Sequence, residues 1–278
     1  MLGPKRILIT GAAQGMGREI ALEATRQGAS HVGLTDVNGD GAEETAALVR
    51  ELGGEALAVV ADLRSGEAIR KMVDEVAAWA GGLDVLVNNA GVLDHVFTDP
   101  DRVGVDTLDE DAWDAVNDIN LKAVWLATKH AAPHLRASDR GPSIVNAASV
   151  SGMNGSAMTA YAVTKAAVIQ LTRTTAINLA PHVRANCYSP GAIKTPMGNS
   201  HLASATDRLE RARSMYGTHL IPRRGTVEEI AQVVCFLASD AASFLTGINV
   251  PVDGGTTAWR GVQDVELDVD PAELDQLG

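Results

Sequence analysis

Short apolar runs alternate with longer amphipathic stretches along most of this sequence. The runs are rich in Ile, Val and Leu, and in the stretches that follow them apolar residues recur every three to four positions. Three such pairs open the chain: Ile7–Ile9 before a helix from Met16 to Gln27, His31–Thr35 before a helix through Leu48, and Ala56–Val60 before a helix through Trp79. Regular alternation of this kind is typical of β-α-β units on a parallel sheet.

The same alternation continues in the second half of the chain. It predicts these elements in order: Val85–Val87, a long helix that ends near His134, Ser143–Ala147, a helix over Thr159–Leu179, Val183–Tyr188 and Ile248–Val252. Because parallel crossovers are right-handed and both faces of a parallel sheet must be covered, we expect helices on both sides. The sequence therefore predicts an α/β fold: a single-domain, doubly wound Rossmann fold with a parallel seven-stranded sheet. Ligands of such sheets bind at the carboxyl ends of the strands.

Two stretches interrupt the pattern. Residues Asp94–Asp109 are polar and acidic and make an unusually long connection between a strand and its helix, so we expect either a lid or an ordinary surface insertion. The last stretch, 261–278, is acidic and lacks a helical period, so we expect a loosely docked tail. Residues 1–260 are predicted to form the domain.

Composition and charge narrow the class of ligand. The 278 residues are 46% apolar and 21% charged, as in folded globular proteins, and the length suits one large α/β domain. The formal charge of −12 disfavours nucleic acid and anionic membrane surfaces as partners. No apolar run is long enough to span a membrane and no signal-peptide pattern opens the sequence. We therefore expect a cytoplasmic protein whose partner is a small molecule.

The sequence contains two cysteines, Cys187 and Cys235. Their neighbours supply no CxxC pair and no histidine at metal-binding spacing, so we expect neither a disulfide framework nor a zinc site. Two reduced, buried thiols are the expected state.

A glycine-rich turn follows the first predicted strand. Thr10–Gly17 reads TGAAQGMG and opens directly into a helix, where backbone N–H groups and the helix dipole can hold a dinucleotide pyrophosphate. A Cβ at these glycines would clash with the phosphate or the packed strand. Taken alone, the turn is equally consistent with an ordinary tight connection. The residues expected to contact a dinucleotide here are Gly11, Gln14, Gly15, Met16 and Gly17.

Asp36 stands at the end of the second predicted strand, nineteen residues after Gly17. A carboxylate at this place can accept hydrogen bonds from both ribose hydroxyls of an adenosine, and it would repel a 2′-phosphate. No Arg or Lys occupies the neighbouring positions at which such a phosphate would need one: Ala12, Ala13, Gln14 and Val37. The sequence therefore predicts NAD rather than NADP. The alternative is that Asp36 only caps the next helix.

Three polar residues form a candidate catalytic group. Tyr161 and Lys165 are four residues apart, hence on one face of a predicted helix, and Ser149 follows the fifth predicted strand at the same edge of the sheet. A nearby ammonium favours the phenolate and lowers the pKa of a tyrosine, which would otherwise be a poor base at neutral pH. Ser149 can hydrogen-bond the substrate oxygen. A tyrosine and a lysine at this spacing usually have no catalytic role when they occur alone, but here they accompany the glycine-rich turn.

In these motifs the chain resembles the short-chain dehydrogenase/reductase family, from Arg6 to about Thr257. The motifs that carry the resemblance are TGxxxGxG at Thr10–Gly17, NNAG at Asn88–Gly91, the Ser149, Tyr161 and Lys165 set, Asp62 after the third strand, Asn120 in the long helix, and Pro190–Thr195 after the sixth strand.

The resemblance implies a catalytic tetrad of Asn120, Ser149, Tyr161 and Lys165, with Asn120 holding a water that links Lys165 to solvent. It implies that NNAG stabilises the sheet beside the cofactor. The complete set of residues expected at the NAD cofactor is Gly11, Gln14, Gly15, Met16, Gly17, Asp36, Val37, Asp62, Leu63, Asn89, Ala90, Gly91, Tyr161, Lys165, Pro190, Gly191, Ile193 and Thr195.

The segment from about 194 to 222 resembles the substrate lid of the family. Its apolar residues, together with Val150, Met153 and Met158, suggest a pocket for a hydrophobic or ring-bearing molecule, with Ser149, Met153 and Tyr161 as expected substrate contacts. Packing between two short helices explains the same residues equally well. Three histidines could reach a substrate, His95, His201 and His219, although surface histidines more often have no specific role. The resemblance also implies a homotetramer.

Three hypotheses of function follow from the sequence. The first is an NAD-dependent alcohol dehydrogenase that interconverts a secondary alcohol, such as a cyclic carbinol, and a ketone. The second is a 3-oxoacyl thioester reductase or a sugar dehydrogenase; Asp36 disfavours the reductase, since reductive biosynthesis generally uses NADPH. The third, a non-catalytic dinucleotide sensor, would have no need of the four tetrad residues together.

Overall fold

Seven parallel strands form one sheet at the centre of the protein, seen in a computed structural model that describes residues 2–203, 205, 207–259 and 261–263. The strand order is β3-β2-β1-β4-β5-β6-β7. The strands are β1 (Arg6–Thr10), β2 (His31–Asp36), β3 (Glu55–Val60), β4 (Val85–Asn88), β5 (Ser143–Ala147), β6 (Arg184–Pro190) and β7 (Asn249–Val252). The predicted fold class, a doubly wound parallel sheet of seven strands, is confirmed.

Helices cover both faces of this sheet. They are α1 (Gly15–Arg26), α2 (Gly39–Glu51), α3 (Gly66–Ala80), α4 (Glu110–Asn117), α5 (Ala123–Arg136), α6 (Thr159–Leu179), α7 (Pro196–Ala203), α8 (Arg208–Gly217) and α9 (Val227–Ala238). Alternate residues of β1 show the two layers: Ile7 and Ile9 pack in a core with α1, α2 and α9, whereas Leu8 packs in a core with α3, α5 and α6.

Most predicted boundaries agree with the structure to within a few residues. The fifth strand and helix α6 coincide with the prediction, while α2 runs three residues past Leu48 and β6 continues to Pro190. Strand β1 lies between β2 and β4, so the chain changes direction across the sheet after β3. This topological switch brings the carboxyl ends of β1 and β4 together, which is where a doubly wound sheet forms its ligand crevice.

The predicted long helix is interrupted by one π-helical turn. Helix α4 leads into a π turn at Asp118–Lys122, and α5 continues from there to Arg136. The 3.6-residue period did not reveal the turn because a single extra residue barely disturbs an apolar stripe. Such turns are frequent at functional sites, and Asn120 lies at the centre of this one.

The polar connection Asp94–Asp109 is not an ordinary surface insertion. It contains two short 3-10 turns, and its first residue, Asp94, is fully buried. The backbone N–H and the hydroxyl of Thr159 both donate to the carbonyl of Val103, at 3.1 and 2.9 Å. The connection is therefore attached to the start of α6.

The carboxyl-terminal segment is described only as far as Gln263, so most of the predicted tail, 264–278, lies outside the described residues. Gln263 donates from its backbone N–H to the carbonyl of Gly217 and from its side chain to the carbonyl of His219. Cys187 and Cys235 are free and buried, as predicted. Within the described ranges, no helix combines the length and the apolarity that crossing a membrane requires.

Candidate active site

A cavity of about 440 Å³ opens at the carboxyl ends of β1, β2 and β4. Among the residues that line it are thirteen of those predicted to contact the cofactor: Gly11, Gln14, Gly15, Met16, Gly17, Asp36, Val37, Asp62, Leu63, Asn89, Ala90, Gly91 and Thr195. Sequence reasoning missed several apolar residues of the same wall, namely Val92, Val96, Phe97 and Ile119. These residues have no motif of their own.

The glycines of the turn are required by close backbone approach. A Cβ at Gly17 would overlap the carbonyl oxygen of Gly11, and a Cβ at Gly11 would lie 2.8 Å from the Cα of Ala90. Gly11 and Gly15 also have positive φ values, of 68° and 57°, which residues with a side chain rarely adopt. The residue before α1, Gln14, makes no side-chain capping bond. The first N–H groups of α1 are therefore left for a ligand in the cavity.

Asp36 is held in place by two backbone donors. Its carboxylate accepts from the N–H of Ala13 at 3.1 Å and from the N–H of Asn38 at 3.0 Å. The side chain of Asn38 caps α2 by accepting from the N–H of Gly41. Asp36 is therefore not the cap of α2, and its carboxylate lines the cavity.

The NNAG segment connects the glycine turn to the centre of the sheet. The side chain of Asn89 donates to the carbonyls of Thr10 and Gly11, at 3.0 and 3.2 Å. The backbone N–H groups of Asn89 and Ala90 both donate to the hydroxyl of Thr10. One residue earlier, the amide of Asn88 donates to the amide oxygen of Asn146 across β4 and β5. These bonds give NNAG the sheet-stabilising role that the resemblance implies.

A second cavity, of about 270 Å³, adjoins the first. Its lining includes Ser149, Tyr161 and Lys165 together with Pro190, Gly191 and Ile193, which are the remaining predicted cofactor residues. The two cavities share five residues: Met16, Asn89, Gly91, Thr195 and Met197. One end of the larger cavity therefore opens onto the candidate catalytic group.

The ammonium of Lys165 lies close to Tyr161 but bonds elsewhere. Its Nζ donates to the carbonyl of Ala147 at 2.8 Å and lies 5.6 Å from the centre of the Tyr161 ring. Lys165 is 4% exposed, and burial lowers its pKa to about 8. The Oγ of Ser149 accepts from the N–H of Ser151 at 3.2 Å.

The expected effect of Lys165 on Tyr161 is not found in this geometry. Burial raises the pKa of Tyr161, the charge of Asp94 raises it further, and only a hydrogen bond with Ser149 opposes them. Desolvation dominates because the phenol is partly buried and the Lys165 ammonium is directed to a backbone carbonyl.

Asn120 is fully buried and makes a closed pair of bonds with Val92. Its amide oxygen accepts from the N–H of Val92 at 2.8 Å, and its amide nitrogen donates to the carbonyl of the same residue at 2.9 Å. A Cβ on Gly91 would lie 3.2 Å from the Nζ of Lys165 and 3.3 Å from the amide oxygen of Asn120. The absence of a side chain at Gly91 therefore leaves a narrow gap between these two groups. The water expected there stays a prediction.

Asp94 is the functional residue that sequence reasoning missed. Its buried carboxylate accepts from the backbone N–H of Ala160 at 2.9 Å and from that of Tyr161 at 2.7 Å. It thereby supplies the cap that Met158, the residue before α6, does not. The only signal was an acidic residue three positions after NNAG.

The lid segment both packs between two short helices and lines a cavity, the two roles that its sequence allowed. Leu202, Ala212 and Tyr216 pack together between α7 and α8, whereas Met197 and Met215 line the smaller cavity. The smaller cavity is also lined by Val150, Met158, His201 and His219. His95 is not part of that lining but stacks on His201, with ring centres 6.0 Å apart.

Met153 lies outside the lining of this cavity. Its sulfur accepts from the side-chain amide of Asn249 at 3.1 Å, and the residue is partly exposed. The neighbours Val150, Ser151 and Met158 face the cavity in its place. A substrate contact by Met153 stays a prediction that this arrangement does not favour.

Comparison with known proteins agrees with the fold. A family described as enoyl-(acyl carrier protein) reductase matches residues 11–257. The chain is 37% identical over 256 residues to a cyclopentanol dehydrogenase of Comamonas testosteroni, covering 91% of this chain and 97% of that protein. It is 36% identical over 256 residues to a cyclohexanol dehydrogenase of an Acinetobacter strain, covering 91% and 95%. It is 39% identical over 259 residues to a 3-oxoacyl-[acyl-carrier-protein] reductase of Thermotoga maritima, covering 90% and 97%.

Two solved structures extend the comparison. An NAD⁺-bound xylitol dehydrogenase superposes with a TM-score of 0.84 at 33% identity, covering 91% of this chain and 99% of the other. A short-chain dehydrogenase from Burkholderia cenocepacia in complex with NADP has a TM-score of 0.80 at 32% identity, covering 92% and 99%. The chain belongs to the short-chain dehydrogenase/reductase family. It is an oxidoreductase that acts on CH–OH groups.

Proposed function

We propose that this enzyme is an NAD-dependent dehydrogenase of cyclic or otherwise hydrophobic secondary alcohols. The observation that carries the proposal is the junction of the two cavities, where Ser149, Tyr161 and Lys165 meet the end of the larger one. The names of the cyclopentanol and cyclohexanol dehydrogenases among the relatives support the same substrate class.

The residues around the larger cavity fit a nicotinamide dinucleotide. The glycine turn leaves no side chain between the cavity and the uncapped start of α1, which suits a pyrophosphate. Asp36 suits the adenosine ribose, and Asp62 with Leu63 forms the wall beyond it. When bound, the nicotinamide supplies the hydride acceptor for oxidation or the hydride donor for reduction.

The choice of NAD over NADP rests on charge. Asp36 places a carboxylate at the ribose end of the cavity, where a 2′-phosphate would be repelled. The cation among the described lining residues at this end, Arg64, is paired with Asp62 at 2.7 Å. This pairing partly neutralises the one group that would attract the phosphate.

Tyr161 is the proposed acid/base. In oxidation its phenolate takes the proton of the substrate hydroxyl as the hydride leaves the carbinol carbon, and in reduction the phenol returns the proton to the oxygen. Ser149 donates a hydrogen bond to the same oxygen and holds it in place. The proton then has to reach solvent: the Lys165 ammonium gives one of its protons to a water held by Asn120 in the gap at Gly91, and Lys165 is reprotonated by the proton taken up at Tyr161. We also propose that the cofactor is bound near its reacting end by four further residues: Pro190, Gly191, Ile193 and Thr195.

The smaller cavity favours a neutral substrate. Among the described residues that line it, Lys165 is the only lysine or arginine, no acidic residue is present, and four methionines contribute to the wall. A 3-oxoacyl thioester reductase is the second candidate, supported by the relative in Thermotoga maritima. Asp36 disfavours it because the carboxylate opposes NADPH.

An alcohol panel tests both candidates. Cyclopentanol, cyclohexanol, a linear secondary alcohol and a sugar alcohol are each offered with NAD⁺ and with NADP⁺ at alkaline pH, and 3-oxoacyl thioesters with NADH and NADPH. We expect the highest kcat/KM for a cyclic alcohol with NAD⁺. Faster turnover of a 3-oxoacyl thioester with NADPH would overturn the proposal, and dinucleotide binding without turnover of any compound would favour a sensor.

The assembly, domain limits and location are also proposals. Apolar side chains on the outer faces of α5 and α6 are exposed, among them Trp125, Val163 and Ile177, which supports a homotetramer with these helices at an interface. Mass measurement in solution tests the number of subunits. We further propose a catalytic domain over 1–260 with a lid at about 194–222, in a cytoplasmic protein.

A further inference from the structure

His219 has a fixed tautomer in this structure. The residue lies just after α8 and is 3% exposed. Its Nε2 accepts a hydrogen bond from the backbone N–H of Ala192 at 3.2 Å, so Nε2 carries no proton. The single proton of the neutral ring is therefore on Nδ1, which makes this atom a hydrogen-bond donor.

That donor has no partner. Nδ1 of His219 is buried, and no atom in the described part of the chain accepts a hydrogen bond from it. Most buried side-chain donors in native proteins have a partner, so an unsatisfied one calls for an explanation such as a functional role or a bound water or ion. The hydroxyls of Thr218 and Thr256, which line the same cavity, already donate to the carbonyls of Met215 and Asp253.

The orientation of the ring shows which way Nδ1 points. An added Cβ on Gly254 would lie 3.0 Å from the Cδ2 of His219, and an added Cβ on Gly191 would lie 2.8 Å from its Nε2. The Cδ2–Nε2 edge therefore faces these two backbone segments. Nδ1 is the ring vertex opposite that edge, so its N–H points away from Gly191 and Gly254. His219 also lines the smaller cavity together with Ser149 and Tyr161.

We propose that the Nδ1–H of His219 binds a second oxygen of the substrate, so that the enzyme prefers a cyclic alcohol that carries another hydroxyl or carbonyl group over a simple cycloalkanol. The proposal rests on the proposed alcohol dehydrogenase function and specifies its substrate class. The second group is a neutral acceptor, because the donor is an uncharged N–H and the one lysine or arginine among the described lining residues, Lys165, is directed to the carbonyl of Ala147. His219 is thus a specificity-determining residue.

The test compares cyclohexanol with the 1,2-, 1,3- and 1,4-cyclohexanediols and the matching hydroxyketones, using NAD⁺. The measured quantity is the ratio of kcat/KM for the best oxygenated substrate to kcat/KM for cyclohexanol. We expect a ratio of roughly ten or more in the wild-type enzyme, since a site built to bond a polar group discriminates against the analogue that lacks it.

Two substitutions separate the two nitrogens of the ring. His219→Gln places an amide oxygen near the position of Nε2 and leaves no donor at Nδ1, so we expect the ratio to fall toward one. His219→Asn places its amide nitrogen near the position of Nδ1, so we expect a ratio close to that of the wild type. His182→Gln, at an exposed histidine on the surface, is the matched control and leaves the ratio unchanged.

The outcomes distinguish this proposal from the proposed function. Turnover of cyclohexanol with a wild-type ratio near one overturns the role of His219 and leaves the dehydrogenase function intact. No turnover of any ring alcohol overturns the function itself. Equal ratios in the Gln, Asn and wild-type enzymes also overturn the role of His219, as does a ratio lost in Asn and kept in Gln. If neither variant folds, the wild-type ratio alone decides.

Discussion

Helices α1 and α6 both begin at the carboxyl edge of the sheet, yet the N–H groups of their first turns differ in whether the protein supplies an acceptor. The residues before them, Gln14 and Met158, provide no side-chain cap. The start of α1 stays open and faces the larger cavity. The start of α6 is closed by Asp94, whose buried carboxylate accepts from two of its N–H groups.

The difference follows from what each helix has to hold. The first N–H groups of a helix need an acceptor, and an anion is favoured there by the helix dipole. At α1 a ligand phosphate can supply that anion. At α6 the protein supplies it, so the helix that carries Tyr161 has a fixed start whether or not a ligand is present. The start of α1 is therefore free to bind a ligand, and the start of α6 is fixed so that Tyr161 is held in position.

The largest effect is expected from a substitution in α6, the helix whose start is capped by Asp94. We expect Tyr161→Phe to lower kcat by about 10²–10⁴, the usual contribution of general acid/base catalysis, while leaving the Kd for NAD close to that of the wild type. Steady-state kinetics and a dinucleotide titration measure the two quantities. Turnover at the wild-type rate would remove Tyr161 from the mechanism and with it the distinction between the helices.

The second-largest effect is expected when the carboxylate of Asp94 is removed. Asp94→Ala leaves two N–H groups of α6 without an acceptor, and a bond to a charged group contributes about 1.5–3 kcal/mol. We expect the free energy of unfolding to fall by about 3 kcal/mol in urea titrations, with a smaller loss in Asp94→Asn, which keeps one acceptor oxygen. Equal stability of all three proteins would contradict the cap.

The same pair of variants tests electrostatics at Tyr161. The negative charge of Asp94 disfavours the phenolate and so raises the pKa of Tyr161. Removing the charge in Asp94→Asn should lower the pKa of Tyr161, with Lys165 and Tyr188 still facing the phenol. The alkaline rise in the rate of alcohol oxidation should then begin at lower pH, as a pH profile of kcat/KM would record.

A smaller effect is expected at the open helix. Asp36→Ala removes the proposed acceptor for the ribose hydroxyls, which should lower kcat/KM for NAD by roughly tenfold or more and raise the relative use of NADP. The stability of α6 should not change. An enzyme that already prefers NADP before the substitution would refute the prediction from charge.

The smallest effect is expected at a helix start with an ordinary cap. The side chain of Ser65 accepts from the N–H of Ala68 and caps α3, and Ser65 itself is not among the residues that line the two cavities. Ser65→Ala should lower the free energy of unfolding by about 1 kcal/mol and leave kcat, KM and the Kd for NAD unchanged. It shows what a cap contributes when neither a ligand nor Tyr161 depends on it.

The contrast also explains what the sequence could reveal. The open start of α1 was predictable because its three glycines, Gly11, Gly15 and Gly17, lie within one short stretch of sequence. Tyr161 and Lys165 were predictable because they are four residues apart on one helix. The cap of α6 was not, because Asp94 and Tyr161 are 67 residues apart in the chain and an acid in a polar stretch resembles any surface residue. The unsatisfied Nδ1 of His219 depends likewise on contacts between distant segments.

The lid and the substrate wall were only partly predictable. Hydrophobicity alone does not say whether a residue packs or lines a cavity, and within the lid Tyr216 packs in the cluster with Leu202 and Ala212, whereas Met215 both packs against that cluster and lines the cavity. Met153 was expected at the substrate for the same reason; it bonds to Asn249 and is absent from the lining of the smaller cavity.

The π turn at Asp118–Lys122 bears on how such a site changes over time. A π turn accommodates one residue more than the α turn that would otherwise stand there, so losing one residue from it would leave α4 and α5 on their present faces and would shift only the side chains of the turn, Asn120 among them. A chain shortened by one residue at this point should therefore fold as before and lose the placement of Asn120. Relatives that keep the tetrad should keep the length of this segment constant, whereas relatives without it are free to shorten the segment.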